Sequence, residues 1–428
     1  MFHMGGVSPI LDSTPLFVWL LAPLSAPAAL KVLQAVDSLS HAQKLDLQSY
    51  LRLHLVSQLQ QFDSWPHAVT AIGSVAAAQQ TVLPACPPLT ADQQEHKRRR
   101  QAIASLKRLP TRERWGPLVT TAAGFREAPL VEAEALSAPK PISVSQLSRT
   151  HQRIPESFWE KLIEAVLAEI TTAMTPGVMP DVGPVRAVDA SVFRVPESFQ
   201  WATYKDGLQA AKILVEYDVV SGLVKAPILT EGSVHEARTG RTLPKQPGTT
   251  YLIDRGFWAF TDFDDYCHKG IYFVTRCKEN AQIARLTSYP VPPDSAVIAD
   301  EEVVLGRGIK RMEHSVRLVT VSGEDGTPVQ FVTNRFDLPA HLIGQLYRNR
   351  WQIELFFRWL KHHFKTLHFF GHSRQAVYAQ IAAAFLAHIL LVHRYRQLRY
   401  RGGLLEFARR VEVGLFAPVP TAWVRIAS

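Results

Sequence analysis

The spacing of apolar residues changes near Pro176, from a helical period to a strand period, so the chain must begin with helices and continue as an α/β unit. Upstream, residues 28–39, 42–62, 91–109 and 156–174 carry apolar side chains at helical spacing, and Pro110 ends the third stretch. An Ala/Pro/Glu-rich run at 128–141 reads as a linker. Downstream, 185–195 alternates like a strand, and 211–220 and 223–230 flank Ser221-Gly222 in a hairpin pattern. A short apolar strand at 250–253 runs into Asp254-Arg255-Gly256. A helical stretch then reaches His268, and a strand follows at 271–276. Strand-like runs at 302–305, 314–321 and 329–333 precede a long helix expected over 338–364. Hairpin-linked strands, a crossover and an interrupting β-rich segment predict a mixed α/β sheet with an insertion.

Charge narrows the class of partner. The 428 residues carry a formal net charge of +9 and a pI near 9.4, which favours a polyanion. From Phe331 to Ser428 there are 14 Lys/Arg against four acids, so the last quarter holds the whole surplus. A second basic cluster, Lys97, Arg98, Arg99 and Arg100 with Lys107 and Arg108, lies in the helical stretch before Pro110. One such cluster is ordinarily a solvated helix face. Two, with Arg394, Arg396, Arg399 and Arg401 interleaved by Tyr395 and Tyr400, point toward nucleic acid. The apolar stretch 15–30 contains three prolines and follows no basic segment, and 381–393 is too short to span a bilayer. Both read as buried helix, so no membrane partner is expected and the cytoplasm is the expected location. Three cysteines fit a reducing compartment and approach no zinc-finger spacing, which leaves the sixteen histidines as solvated or phosphate-facing side chains.

Three carboxylates stand at informative places. Asp189 is within the first strand, Asp254 ends a later strand at the edge where open α/β sheets bind ligands, and Glu354 is on the long helix. Converging, they would offer hard oxygen ligands to divalent cations. On one continuous helix Tyr347, Arg350, Glu354 and Lys361 share a face about 60° wide, beside an apolar sector of Ile353, Phe356, Phe357, Leu360 and Phe364. Ordinary helical ion pairs from Glu354 to Arg350 and Arg358 account for part of that stripe, but not for the tyrosine.

These residues resemble the DDE transposases of bacterial insertion sequences that carry the YREK signature. The pattern Tyr-x2-Arg-x3-Glu-x6-Lys is met by Tyr347, Arg350, Glu354 and Lys361, Asp254-Arg255-Gly256-Phe257 matches the second-acid motif, and Asp189-Ala190-Ser191 the first. The strings 228–235 and 331–334 are also similar to the family, with Ala190 and Glu236 as mild departures. The resemblance covers about 184–391 and implies an α/β, RNase H-like mixed sheet with a β-rich insertion, preceded by a helical N-terminal region.

The domain organisation expected from it is a helical, DNA-end-binding region at 1–130, with Lys97 to Arg100 as DNA contacts, and a linker and helix at 131–180. The core would occupy 181–281 and 337–395, the insertion 282–336 and a basic tail 396–428. The resemblance implies Asp189, Asp254 and Glu354 as catalytic, metal-binding acids for two Mg²⁺, with Mn²⁺ able to substitute. It makes Tyr347, Arg350 and Lys361 DNA contacts, and implies a homodimer on double-stranded DNA comprising terminal inverted repeats and target. Tyr347 reads equally as a buried tyrosine, and Phe257 and Trp258 as base-stacking or core residues. The alternatives are a metal-dependent nuclease on the same core without strand transfer, and a non-catalytic, domesticated DNA-binding protein.

Overall fold

A computed structural model describes residues 16–37, 47–62, 143–173, 179, 181–291, 293, 295–323, 325–363, 369–417, 419, 420 and 423. The Lys97–Arg100 cluster, the helix read over 91–109, the linker at 128–141 and Phe364 lie outside those residues.

Among the described residues five helices come first: α1 (Leu16–Leu21), α2 (Pro27–Asp37), α3 (Leu47–Leu59), α4 (Val144–Arg153) and α5 (Glu156–Ala173). A capping box starts α4: the Gln146 N–H donates to the Ser143 hydroxyl, and the Ser143 N–H donates to the Gln146 side chain. Where α3, α4 and α5 meet, His54 and His151 are buried with their Nε2 atoms 3.0 Å apart, against the rings of Tyr50 and Trp159.

The sheet has nine strands: β1 (Val185–Val195), β2 (Gln209–Asp218), β3 (Ile228–Glu231), β4 (Thr250–Ile253), β5 (Tyr272–Arg276), β6 (Ile283–Ser288), β7 (Val297–Leu305), β8 (Val316–Ser322) and β9 (Pro328–Thr333). Their order is β3-β2-β1-β4-β5-β9-β8-β7-β6. Strands β1, β4 and β5 are parallel and every other pairing is antiparallel. Residues 283–333 thus extend the main sheet beyond β5. Strand β6 lies at the edge with mostly exposed side chains, so it lacks the alternation that would mark it in the sequence.

Short helices α6 (Glu236–Gly240) and α7 (Phe260–His268) join the strands, and α8 (Ala340–Arg348), α9 (Trp351–His363), α10 (Arg374–Gln397) and α11 (Leu404–Gly414) follow. One face of the sheet packs Val188, Leu214, Tyr251, Ile253 and Phe273 against Phe263 and Tyr266 of α7. The other places Ala187, Phe193, Ile213, Leu252 and Val274 in one core with α9, α10 and the N-terminal helices. Helix α10 is long and apolar enough to cross a bilayer, yet 94% of its apolar window is buried, and it packs on α3, α4 and α5.

The helix expected over 338–364 is instead two helices. Asn349 donates from its side-chain amide to the carbonyls of Gln345 (3.2 Å) and Leu346 (3.3 Å), competing with the helical ladder. The backbone tightens accordingly: Arg350 N–H bonds to Tyr347 O, and Ile353 N–H to Arg350 O, each over three residues.

Two buried arginines fasten the entry to α8. Arg317 grips Asp300 with two bonds of 2.8 and 2.7 Å and also donates to Arg335 O and Leu338 O. Arg335 donates to Val182 O and to the Thr250 hydroxyl, and pairs with Asp337.

Two stability tests follow from these contacts. Arg317→Met strands the Asp300 carboxylate in the interior and should cost about 3–5 kcal/mol by chemical denaturation, more than the double change with Asp300→Leu. Burial lowers His54 well below its ordinary pKa and His151 from 6.5 to about 4, so unfolding takes up protons as pH falls. Their stabilisation is intact above pH 6.5 and is lost toward about pH 4, by on the order of 3 kcal/mol for His151. The pH dependence of urea midpoints should flatten in His151→Gln; an unchanged slope would exclude the pair as its origin.

Candidate active site at the carboxyl edge of the sheet

The parallel pairing of β1 with β4 aligns Val188 with Ile253, so the next residues, Asp189 and Asp254, come side by side. Ala187 and Leu252, two residues earlier on each strand, belong to the core under α9, so both acids emerge on the helix side. Strand β1 continues past this point and holds Asp189 in extended backbone, while β4 stops and Asp254 caps a tight turn. Ala190 N–H donates to Asp189 Oδ1 (2.8 Å), and Gly256 N–H donates to Asp254 Oδ1 (3.2 Å). Helix α9 lies on β1 with Ile353, Phe356, Phe357 and Leu360 buried, which sets Glu354, in its first turn, opposite the two aspartates.

Arg350, in the tight turn between α8 and α9, reaches all three acids. Its guanidinium donates to Asp189 Oδ2 (3.5 Å) and to Glu354 Oε1, and lies 4.0 Å from Asp254 Oδ2. Burial pushes Asp189 up to about 6, with Asp254 and Glu236 adding to the rise and Ala190 N–H and Arg350 opposing it. Burial also works against the charge of Arg350, but Tyr347, Asp189 and Glu354 together hold its pKa above the ordinary value.

The remaining members of the stripe separate into different roles. Tyr347 is buried, with its ring 5.1 Å from Phe331 and the Arg350 guanidinium 5.6 Å from its own ring centre, so it packs the core and backs the arginine. Lys361 is half-buried with its Nζ 5.0 Å from the Phe193 ring centre, and burial lowers its pKa. Among the described residues no carboxylate pairs with it. Glu354 pairs with Arg350, whereas Arg358 rests over the Trp351 ring. Phe257 is buried in the second core, and the half-buried Trp258 packs edge-on against Phe263 at 5.3 Å.

Two expectations change at the C-terminal end. Arg394 is buried, with its guanidinium 4.4 Å from the Trp19 ring centre and donating to Trp19 O, so it ties α10 to α1. Tyr395 and Tyr400 pack with Phe407, and Tyr400 also meets Trp423. Their aromatic surface serves the fold; among the described residues Arg396, which donates to Val220 O, Arg399, Arg401, Arg409 and Arg410 are the exposed cations of that segment.

Two neighbours were not singled out by motif. The Glu236 carboxylate lies against Gly256, where a side-chain carbon would come within 2.2 Å of its Oε2, so the glycine of Asp254-Arg255-Gly256 makes room for a fourth acid. The signal for it was the His235-Glu236 departure. Asn334, the last residue of the 331–334 string, accepts from Phe273 N–H and donates to Ile271 O, extending the ladder at the start of β5. The donor set of the three acids, all carboxylate oxygen, suits a hard divalent cation, and their gathering around one cation shows that the edge tolerates positive charge. They surround a planar guanidinium, and among the described residues no three metal-ligating groups close on one point.

A central strand order of β3-β2-β1-β4-β5, with acids on β1 and after β4 and a third on the helix covering them, defines an RNase H-like domain with an acidic edge. The family model described as "Transposase DDE domain" matches residues 180–390. The chain is 31% identical over 237 residues to the "Putative transposase y4zB" of Sinorhizobium fredii, covering 54% of this chain and 67% of that protein. It is 26% identical over 286 residues to the "Probable transposase for insertion sequence element IS5377" of Geobacillus stearothermophilus, covering 65% and 74% respectively. A transposase of insertion element IS4SA from Synechocystis, there named as "Putative", is 23% identical over 48% of this chain and 58% of its own length. The chain belongs to the DDE transposase family.

Proposed function

We propose that this DNA transposase cuts and joins DNA at Asp189, Asp254 and Glu354, acting on the terminal inverted repeats of an insertion sequence and on a target duplex. The observation that carries this reading is the register of β1 with β4, which sets two aspartates side by side beneath the glutamate of α9. Divalent cations held by these carboxylates, Mg²⁺ or Mn²⁺, would activate the nucleophile and neutralise the leaving oxygen of an in-line displacement. In the first reaction a water oxygen bonds to phosphorus as the bond to the 3′ oxygen breaks, which leaves a 3′-hydroxyl and a 5′-phosphate. In the second, that 3′-hydroxyl bonds to a target phosphorus and displaces the target's own 3′ oxygen.

The chain's residues then have distinct tasks. The three acids present oxygen ligands from three different elements, so the site exists only when the sheet and α9 are docked. Lys361 supplies a charge with no acid partner among the described residues, 5.0 Å from the Phe193 ring centre, where it can meet a backbone phosphate as a point charge. Arg350 offers a planar fork to the scissile phosphate or its neighbour. Two ends must be processed together, which argues for a homodimer on DNA. The match of the four stripe residues to the YREK pattern supports placement in that group of the family.

Asp189→Ala, Asp254→Ala and Glu354→Ala should each reduce Mg²⁺-dependent cleavage of a duplex carrying the element's ends to background while leaving end binding intact; cleavage retained by any one variant removes that residue from the triad. A strand-transfer assay with pre-cleaved ends separates transposition from simple nuclease action. Lys361→Ala should weaken DNA binding uniformly across sequences and lower the salt dependence of log K by about one, and an unchanged slope would exclude a phosphate contact.

A further inference from the structure

Arg350 lies where divalent cations would have to be held, and its position bears on how the acids are filled. Its terminal nitrogens contact Asp189, Asp254 and Glu354, and its side chain is only 14% exposed. The three acids belong to a strand, a turn and a helix, and this guanidinium joins them. Its Nε is buried with no hydrogen-bond partner among the described residues, so there the fork satisfies its charge but not all of its donors. A guanidinium carries one positive charge spread over a plane several ångströms wide. Carboxylates arranged around it cannot also close on a small divalent ion at oxygen-ligand distances of about 2.0–2.6 Å.

We propose that Arg350 is the built-in counter-cation of the metal-free site and is exchanged for divalent cations, so that filling the acids and freeing the guanidinium for a DNA phosphate are one event. The proposal rests on the reading of the three acids as a cation site. The backbone favours such an exchange. Arg350 sits in the tight turn between α8 and α9 rather than inside a helix, and the Tyr347 ring beside it gives the guanidinium a surface to move along. Metal and DNA would then cooperate. Cations expel the fork, the fork takes a phosphate, and a phosphate that engages the fork leaves the acids open to cations. The reciprocal enhancement follows from linkage.

The test is Mn²⁺ binding by titration calorimetry on the full-length protein without DNA. Arg350→Gln should bind Mn²⁺ at least about tenfold more tightly than the unaltered protein, since no internal cation must be displaced. Its metal-free melting temperature should fall, and Mn²⁺ should raise that temperature by more than in the unaltered protein. Arg350→Lys should lie between the two and guards against a glutamine variant that folds poorly. Arg358→Gln removes a charge from the same helix that rests over the Trp351 ring and touches none of the acids, so its Mn²⁺ affinity should stay within about twofold. Equal strengthening by Arg358→Gln and Arg350→Gln would overturn the exchange in favour of general electrostatics, and an unchanged affinity in Arg350→Gln would overturn it outright. Asp189→Asn and Glu354→Gln identify the site: if Mn²⁺ binding survives in both, the acids are not the cation site, and the proposed mechanism fails together with the exchange. If binding is lost there but Arg350→Gln changes nothing, the exchange alone fails.

Discussion

Three carboxylates brought to one edge of a sheet repel one another, and the arrangement of this protein is organised around that repulsion. Asp189 and Asp254 are adjacent because their strands run parallel in one register, and moving either by a single residue would turn its side chain to the opposite face. Glu354 is added from a helix whose apolar side is already committed to the sheet. The edge is therefore fixed by hydrophobic packing before its charges are considered, and the electrostatics must be settled locally. Ala190 N–H, Gly256 N–H and the Arg350 guanidinium do this, while burial and the neighbouring acids Asp254 and Glu236 keep the pKa of Asp189 raised.

The position of Arg350 depends in turn on structure far from the acids. Strands β6 to β9 carry the sheet outward from β5 and return the chain to the start of α8. There Arg317 binds the carbonyls of Arg335 and Leu338, and Arg335 reaches back to Val182 O and to Thr250 at the foot of β4. Asn334 closes the start of β5 beside them. The added strands thus act on the site through the angle at which α8 arrives, and Asn349 then sets the turn that offers the arginine to the acids.

Much of this was legible in the sequence. Strands β1 and β4 were readable because their core-facing residues are apolar and their ends are marked by charged or turn-forming residues, and the acids were picked out by position and by family likeness. The break at Asn349 was not readable, since asparagine inside a helical pattern shows nothing of where its amide bonds. The juxtaposition of Glu236 with Gly256 joins segments that approach only after folding. Arginine and tyrosine alternating near 394–400 have the same composition whether they face a polyanion or a core, and here Arg394, Tyr395 and Tyr400 serve the core. The β-rich insertion after β5 was legible as such, but its pairing with β5 in one sheet depends on hydrogen bonds that composition does not record.

The bond from Arg394 to the carbonyl of Trp19 spans 375 positions of the chain. Helices α1 to α5 precede the sheet in the chain, but the long apolar helix that shares their core follows it, after Glu354. Until the segment carrying α9 and α10 is made, α3, α4 and α5 lack the helix they pack on, and the site lacks its third acid. A chain cut short before this segment would therefore lack Glu354 and leave a hydrophobic surface uncovered. In this fold the helix that covers α3, α4 and α5 arrives next after the one that carries the third acid of the edge.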